Sequence, residues 1–121
     1  MGVRKIMGEK IKLIPNEVHL AESDLITIKL GNQEIGQIEI FATVDYLHIE
    51  YLHLAEAYRR KGYGYNVMLN LIEECKKEGM LYIDGECRDD LKGFFRELGA
   101  DFKPRTEEDE TYINNRFYID L

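Results

Sequence analysis

Tryptophan is absent from these 121 residues, and cysteine and proline occur only twice each. Cys75 and Cys87 are too few for a disulfide framework, and no secretion signal points to an oxidising compartment. Positive charge is in the minority: 16 basic against 23 acidic residues give a formal charge of −7. That argues against a nucleic-acid binder and permits a cationic partner such as an amine. No apolar run is long enough for a signal peptide or a membrane span. Met1-Gly2-Val3-Arg4-Lys5-Ile6 lacks the Ser/Thr of a myristoylation site. There are no internal repeats and no linkers, and no metal ligand is assigned. A soluble cytoplasmic protein with one domain, residues 1–121, is the expectation. What the chain does have is apolar content of 45%, enough for a packed globule.

The chain is organised around Leu52 to Tyr65. Leu52-His53-Leu54 is an apolar strand end. Tyr58-Arg59-Arg60-Lys61 is a basic turn. Gly62-Tyr63-Gly64-Tyr65 then opens an amphipathic helix. A helix N-terminus leaves its first N–H groups without partners and carries partial positive charge. Glycines there remove Cβ atoms, so an anion can approach the backbone. Arg59, Arg60 and Lys61 add three cations to the same rim. A phosphate-bearing ligand suits such a turn; a tight strand-to-helix connection would use the same two glycines. A dinucleotide turn is excluded, because Val67 stands where its third glycine belongs, and no P-loop spacing is present.

Around this turn the elements follow in order. Lys10 to Ile14 reads as a short strand stopped by Pro15-Asn16. Asp24 to Leu30 alternates, with Ile26, Ile28 and Leu30 on one face. It forms a hairpin with Glu34 to Ala42 across Gly31-Asn32-Gln33. In Tyr46 to Leu54 the apolar residues fall first on odd positions, Leu47 and Ile49, then on even ones, Leu52 and Leu54. Strand side chains alternate strictly, so an extra residue near Glu50–Tyr51, a β-bulge, would keep all four on one face. A strand buried on both faces would tolerate either parity.

The helix Gly62 to Glu78 carries a stripe of Tyr65, Met68, Leu69, Ile72 and Cys75, an exposed Glu73–Lys77 pair, and Gly79 as its C-terminal stop. Met80 to Cys87 is a strand, parallel to the Leu52 strand through a right-handed crossover. Asp89 or Asp90 opens a second helix, to Leu98, with Leu91, Phe94, Phe95 and Leu98 inward and Gly99 closing it. Asp101 to Arg105 and Tyr112 to Leu121 read as strands. The acidic run Thr106 to Thr111 between them reads as a solvated loop.

Arg59-Arg60-Lys61-Gly62-Tyr63-Gly64 resembles the Arg/Gln-x-x-Gly-x-Gly/Ala signature of the GNAT superfamily of N-acetyltransferases. Phe94-Phe95-Arg96-Glu97-Leu98-Gly99-Ala100 is similar to the family's Phe/Leu-Tyr-x-x-Leu-Gly-Phe block, and the element order matches from about Asp24 onward. The resemblance implies a mixed α+β fold. Its mostly antiparallel sheet would splay into a V at the bulge, with the two helices packed on it. It implies acetyl coenzyme A as cofactor, its pyrophosphate on the turn Arg59, Arg60, Lys61, Gly62, Tyr63, Gly64 and Tyr65. Backbone N–H groups of Leu52, His53 and Leu54 would hold pantetheine and the thioester carbonyl. The implied reaction is direct attack of a primary amine, of a small molecule or a protein, in a ternary complex.

Glu50 and, second to it, His48 are the candidate bases; both could instead be solvent-facing strand residues. Two positions depart from the family. Phe95 stands where many members have the tyrosine that protonates the leaving thiolate. Arg88 stands where an asparagine often contacts the cofactor; it could meet a coenzyme phosphate or be a surface arginine. Cys87, near the channel, reads as a small core residue. The family usually places one or two helices between its first strands, and residues 15–23 are too few for two. The acceptor side would then be open or completed by a second subunit, as in a homodimer. The competing reading is a weak or inactive acyl-coenzyme A-binding or protein-interaction module on the same fold.

Overall fold

The computed structural model describes residues 10–103 and 115–121. The readings made on residues 1–9, on Pro104–Arg105, on the acidic run and on residues 112–114 lie outside them. Among the described residues seven strands form one sheet in the order β1-β2-β3-β4-β5-β7-β6. They are β1 Ile11–Pro15, β2 Leu25–Leu30, β3 Gln33–Ala42, β4 Tyr46–Leu54, β5 Tyr82–Cys87, β6 Asp101–Phe102 and β7 Asn115–Asp120. All neighbours are antiparallel except β4 and β5. That exception follows from the crossover helix α1, Tyr63–Lys77, which joins them. A shorter helix, α2, spans Lys92–Glu97. This is the mixed α+β architecture with a splayed sheet expected from the sequence.

Between β1 and β2 the structure has only one 3-10 turn, Leu20–Glu22. The Glu78 carboxylate at the end of α1 accepts from the Leu20 N–H, at 3.0 and 2.9 Å. That contact pins the short connection over the core, where Leu20 is buried. The N-terminal helical region is therefore reduced to a single turn.

One face of the sheet is apolar. Ile26, Ile28, Ile38, Ile40, Leu47 and Ile83 are all fully buried there. Each such side chain contributes about 1.5–3 kcal/mol by leaving water. Helix α1 covers this face with Val67, Met68, Leu71 and Cys75. The expected stripe is thus rotated: Tyr65 and Leu69 are exposed and Ile72 is only half-buried. Residues 67–72 are mostly apolar, so period alone did not choose the inward face. Lys77 pairs with Glu74 at 3.3 Å, not with Glu73.

Both helices end as expected on glycine. Gly79 and Gly99 take φ of 78° and 91°. Met80 N–H then reaches Cys75 O at 3.0 Å, and Ala100 N–H reaches Phe95 O at 3.0 Å. This is the double hydrogen-bonded C-terminal stop that left-handed glycine allows. The second helix starts later than expected, since Asp89–Leu91 forms a 3-10 turn before α2. Phe95 and Leu98 are buried, Phe94 is half-buried and Leu91 is exposed.

Candidate active site

The site begins at a fault in β4. On its β3 side, Glu39 pairs with Tyr51 and Ile40 with Ile49, so Glu50 has no opposite number. Glu50 is the extra residue of a β-bulge, and it shifts side-chain parity as the sequence pattern required. Leu47 and Leu54 consequently both lie in the apolar core. On the other side, β4 pairs with β5 from Tyr46↔Tyr82 to Ile49↔Gly85 and then stops. From Glu50 onward β4 keeps only β3 as a neighbour. β5 continues to Cys87 beside β7. The two parallel strands part into a V.

A cleft of about 550 Å³ fills the V. His48, Ile49, Glu50, Tyr51 and Leu52 line it from β4, and Glu86 and Cys87 from β5. Arg88, Leu91, Phe95 and Phe117 complete the wall. The inner wall is apolar and aromatic: Phe95 stacks on Phe117 at 4.1 Å. The outer mouth carries His48, Glu50 and Glu86. Burial pushes the Cys87 thiol up; Lys92 works against that shift, and Asp89 and Asp90 add to it.

The chain leaves β4 through Ala55–Lys61 and enters α1. Arg59 shapes this turn, because its Nε donates to the Leu54 carbonyl at 2.7 Å. Its guanidinium also lies 3.4 Å from His53 Nδ1. Arg59 is thus a brace for the turn. Arg60 and Lys61 are exposed. Arg60 and Gly62 both take the left-handed conformation, φ 58° and 86°. Such a φ is easy for glycine and costly for arginine.

Gly62 caps α1 without a side-chain hydrogen bond, and the first turn contains no acid. Among the described residues no loop or side-chain group accepts from the N–H of Tyr63, Gly64 or Tyr65. A Cβ on Gly64 would meet nothing nearer than the Phe94 ring at 3.9 Å. The fold therefore does not demand glycine there. An aromatic chain ties this helix start to the cleft. Tyr65 meets Phe94 edge-on at 6.3 Å, Phe94 meets Phe95 at 5.1 Å, and Phe95 reaches Phe117. Tyr63 packs edge-on against Tyr58 at 5.8 Å. A basic, uncapped helix start thus adjoins a slot between two strands. Such a place can hold an anion with an extended arm attached.

Residues 7–100 match the model of the Acetyltransferase (GNAT) family. The chain belongs to that family. Its fold is similar to that of a GNAT family acetyltransferase from Elizabethkingia anophelis solved with acetyl-CoA bound. The two are 14% identical at a TM-score of 0.68, over 93% of this chain and 99% of that one. An acetyltransferase of Bacillus subtilis in complex with CoA is 17% identical at TM-score 0.68, with the same coverage of 93% and 99%. N-acetylglutamate synthase from Neisseria gonorrhoeae, complexed with coenzyme A and N-acetyl-glutamate, is 14% identical at TM-score 0.62. This chain spans only 29% of that one, which covers 90% of it in turn. No curated protein matches.

Within this GNAT chain the sequence-derived residues fall into three groups. Leu52, Glu50, His48, Arg88 and Phe95 all border the cleft. Arg60, Lys61, Gly62, Tyr63, Gly64 and Tyr65 form the helix start. His53 and Leu54 join the two; His53 stacks on Tyr51 and Leu54 is buried. Arg88 is exposed and pairs with Asp90 at 3.2 Å. Glu86, Phe117 and Asp84 were not singled out in the sequence, and Leu91 was read there only as an inward residue of the second helix. The alternation of Tyr82-Ile83-Asp84-Gly85-Glu86-Cys87 was the available signal: it sends Asp84 and Glu86 to the side opposite Ile83. No described helix is long and apolar enough to cross a membrane.

Proposed function

We propose that residues 1–121 form one acetyl-CoA-dependent N-acetyltransferase domain that acetylates a primary amine by direct attack in a ternary complex. The observation that carries this reading is the parting of β4 and β5 after Ile49 and Gly85, beside an uncapped helix start. The residues fit a diphosphate: among the described residues no loop or side-chain group accepts from three first-turn N–H groups, the first turn holds no acid, and space replaces a Cβ at Gly64. Tyr63, Gly64 and Tyr65 would hold the phosphates through their N–H groups, with Arg60 and Lys61 supplying charge. Backbone N–H groups of Leu52 to Leu54 would grip the pantetheine arm. Arg88 would share its guanidinium between a phosphate and Asp90.

When bound, acetyl-CoA supplies a thioester carbonyl open to an amine. The chain's own residues then have three tasks. Ile49, Leu52, Leu91, Phe95 and Phe117 keep water from the slot. Backbone donors on β4 polarise the carbonyl oxygen. Glu50 or His48 takes the proton that an amine of pKa about 10 carries at neutral pH. The acidic mouth suits a cationic or macromolecular amine, and the open outer face leaves room for a second subunit. Free, unbridged Cys75 and Cys87 suit a cytoplasmic setting.

One observation favours a second reading. Phe95 lies in the cleft wall, stacked on Phe117, and carries no hydroxyl to protonate a departing thiolate. A cofactor-binding module with weak or no turnover would look the same. A thiol-release assay over a panel of amines, run beside calorimetric titration with acetyl-CoA, separates the two. Binding with amine-dependent thiol release supports the enzyme. Binding without release supports the module, and no binding removes both.

A further inference from the structure

Two ionisable side chains touch at the point where β4 and β5 begin to part. His48 Nδ1 and Asp84 Oδ1 are 2.7 Å apart. The backbone places them there, because His48 and Asp84 are register partners one rung before Ile49↔Gly85, the last of the ladder. Partners in register project to the same side of the sheet. Both are half-buried, with side-chain exposures of 37% and 35%. The Tyr46 and Tyr82 rings, two residues earlier on the same side, stack at 5.1 Å and back the pair.

His48 also borders two clefts. One is the V. The other, about 290 Å³, is bounded by Asp84, Gly85, Glu86, Lys103, Arg116, Phe117 and Tyr118. His48 can therefore meet an amine arriving across the outer face while a thioester occupies the V. Glu50 borders the V as well, but it has no hydrogen-bond or ion-pair partner among the described residues. Nothing orients it.

We propose that His48 is the general base of this enzyme and that Asp84 is its positioning residue. The proposal rests on the acyl-transfer reading above. Asp84 accepts from Nδ1–H, so the neutral ring carries its lone pair on Nε2. Nε2 takes one proton from the acceptor ammonium, giving imidazolium and a neutral amine. The amine lone pair forms the N–C bond, and the C–S bond breaks with its electron pair left on sulfur. The second nitrogen proton goes to that sulfur, and the imidazolium returns its proton to solvent. The Asp84 charge stabilises the imidazolium while it lasts, as an aspartate does in hydrolytic triads.

The test combines kinetics with 15N spectra of the imidazole. His48→Ala should lower kcat about 10²–10⁴-fold. Asp84→Ala should lower kcat on the order of 10²-fold with the KM for acetyl-CoA unchanged. The spectra should show His48 protonated on Nδ1 in the wild type and shifted toward Nε2–H in Asp84→Ala. Asp84→Glu keeps a carboxylate acceptor, so it should keep the tautomer and recover part of kcat, whereas Asp84→Asn can turn its N–H to Nδ1 and should not. Unchanged kcat in Asp84→Ala, or the same His48 tautomer with and without Asp84, overturns the dyad. Wild-type protein that binds acetyl-CoA yet releases no thiol with any amine overturns the transferase reading and the base role with it. In that event the tautomer still reports whether Asp84 holds the ring.

Discussion

The two halves of β4 differ by one residue of backbone, and the cleft opens at that difference. Tyr46 to Ile49 has a strand on each side, β3 and β5. Tyr51 to Leu54 has β3 alone. The first half is a rung of the core; the second is a strand with one edge free for a ligand. A half-paired strand at the centre of a sheet needs strong anchoring on its remaining side. Gly36 supplies it. A Cβ there would stand 2.1 Å from the His53 carbonyl oxygen, so the backbones approach as only glycine permits. The second half is thus held on one side by close contact and left open on the other.

The largest effect should come from breaking that anchor. Gly36→Val forces β3 and β4 apart where β5 offers no support. Thermal and urea unfolding should show a loss of roughly 3 kcal/mol or more, since backbone cannot give way cheaply. A loss below about 1 kcal/mol would mean that the free half of β4 tolerates movement, and the rigid-slot picture would fall.

A second glycine sharpens the same contrast from the ligand side. Gly64 is helical and meets only the Phe94 ring at 3.9 Å. Gly64→Ala should leave the fold intact or stabilise it by up to about 1 kcal/mol, because glycine is a poor helix former. Acetyl-CoA binding in a calorimetric titration should survive that change nearly intact, since the signature takes glycine or alanine there, whereas the branched side chain of Gly64→Val should abolish it. Tight binding by both variants would remove the phosphates from this turn. On those outcomes Gly36 would be required by the fold and the smallness of Gly64 by the cofactor.

Much of this contrast was legible in the sequence. The switch of apolar parity between Ile49 and Leu52 placed the bulge near Glu50–Tyr51, since strand alternation has no slack, and the structure assigns the extra residue as Glu50. Gly79 and Gly99 marked helix ends because they alone relieve a left-handed φ. The inward face of α1 was not legible: residues 67–72 are nearly all apolar, and only the sheet beneath them selects Val67 and Leu71 over Leu69. The His48–Asp84 contact depends on the register of two strands separated by a whole crossover helix. Register of that kind is set by packing, and no local pattern encodes it.

Phe95 lies at the inner wall of the V, against Phe117. If the missing hydroxyl limits turnover, Phe95→Tyr should raise kcat by up to about 10²-fold, at the lower end of what general acid catalysis contributes. Stability should change by less than about 1 kcal/mol, because the aromatic stack is kept. An unchanged kcat would show that thiolate departure is not the slow step.

The two thiols offer the mildest probe, one on each side of the division. Cys75 lies on the inner face of α1 with no exposed surface, and its pKa is pushed up to about 12 by burial, with Glu78 and Glu74 adding to the shift. Its folded value lies above its ordinary 9.0, so the folded state holds the proton more tightly than the unfolded one. Its contribution is complete below pH 9.0 and is lost as pH rises toward about 12. Stability should therefore fall across that window, and Cys75→Ala should flatten the fall while lowering stability at neutral pH. Cys87 borders the V. With a thiol reagent at pH 8, Cys87 should react first and acetyl-CoA should slow it, whereas Cys75 should react only as fast as the chain unfolds. Equal rates for the two thiols would mean that the slot is closed to small molecules from that side, and a cofactor arm could not lie along Cys87.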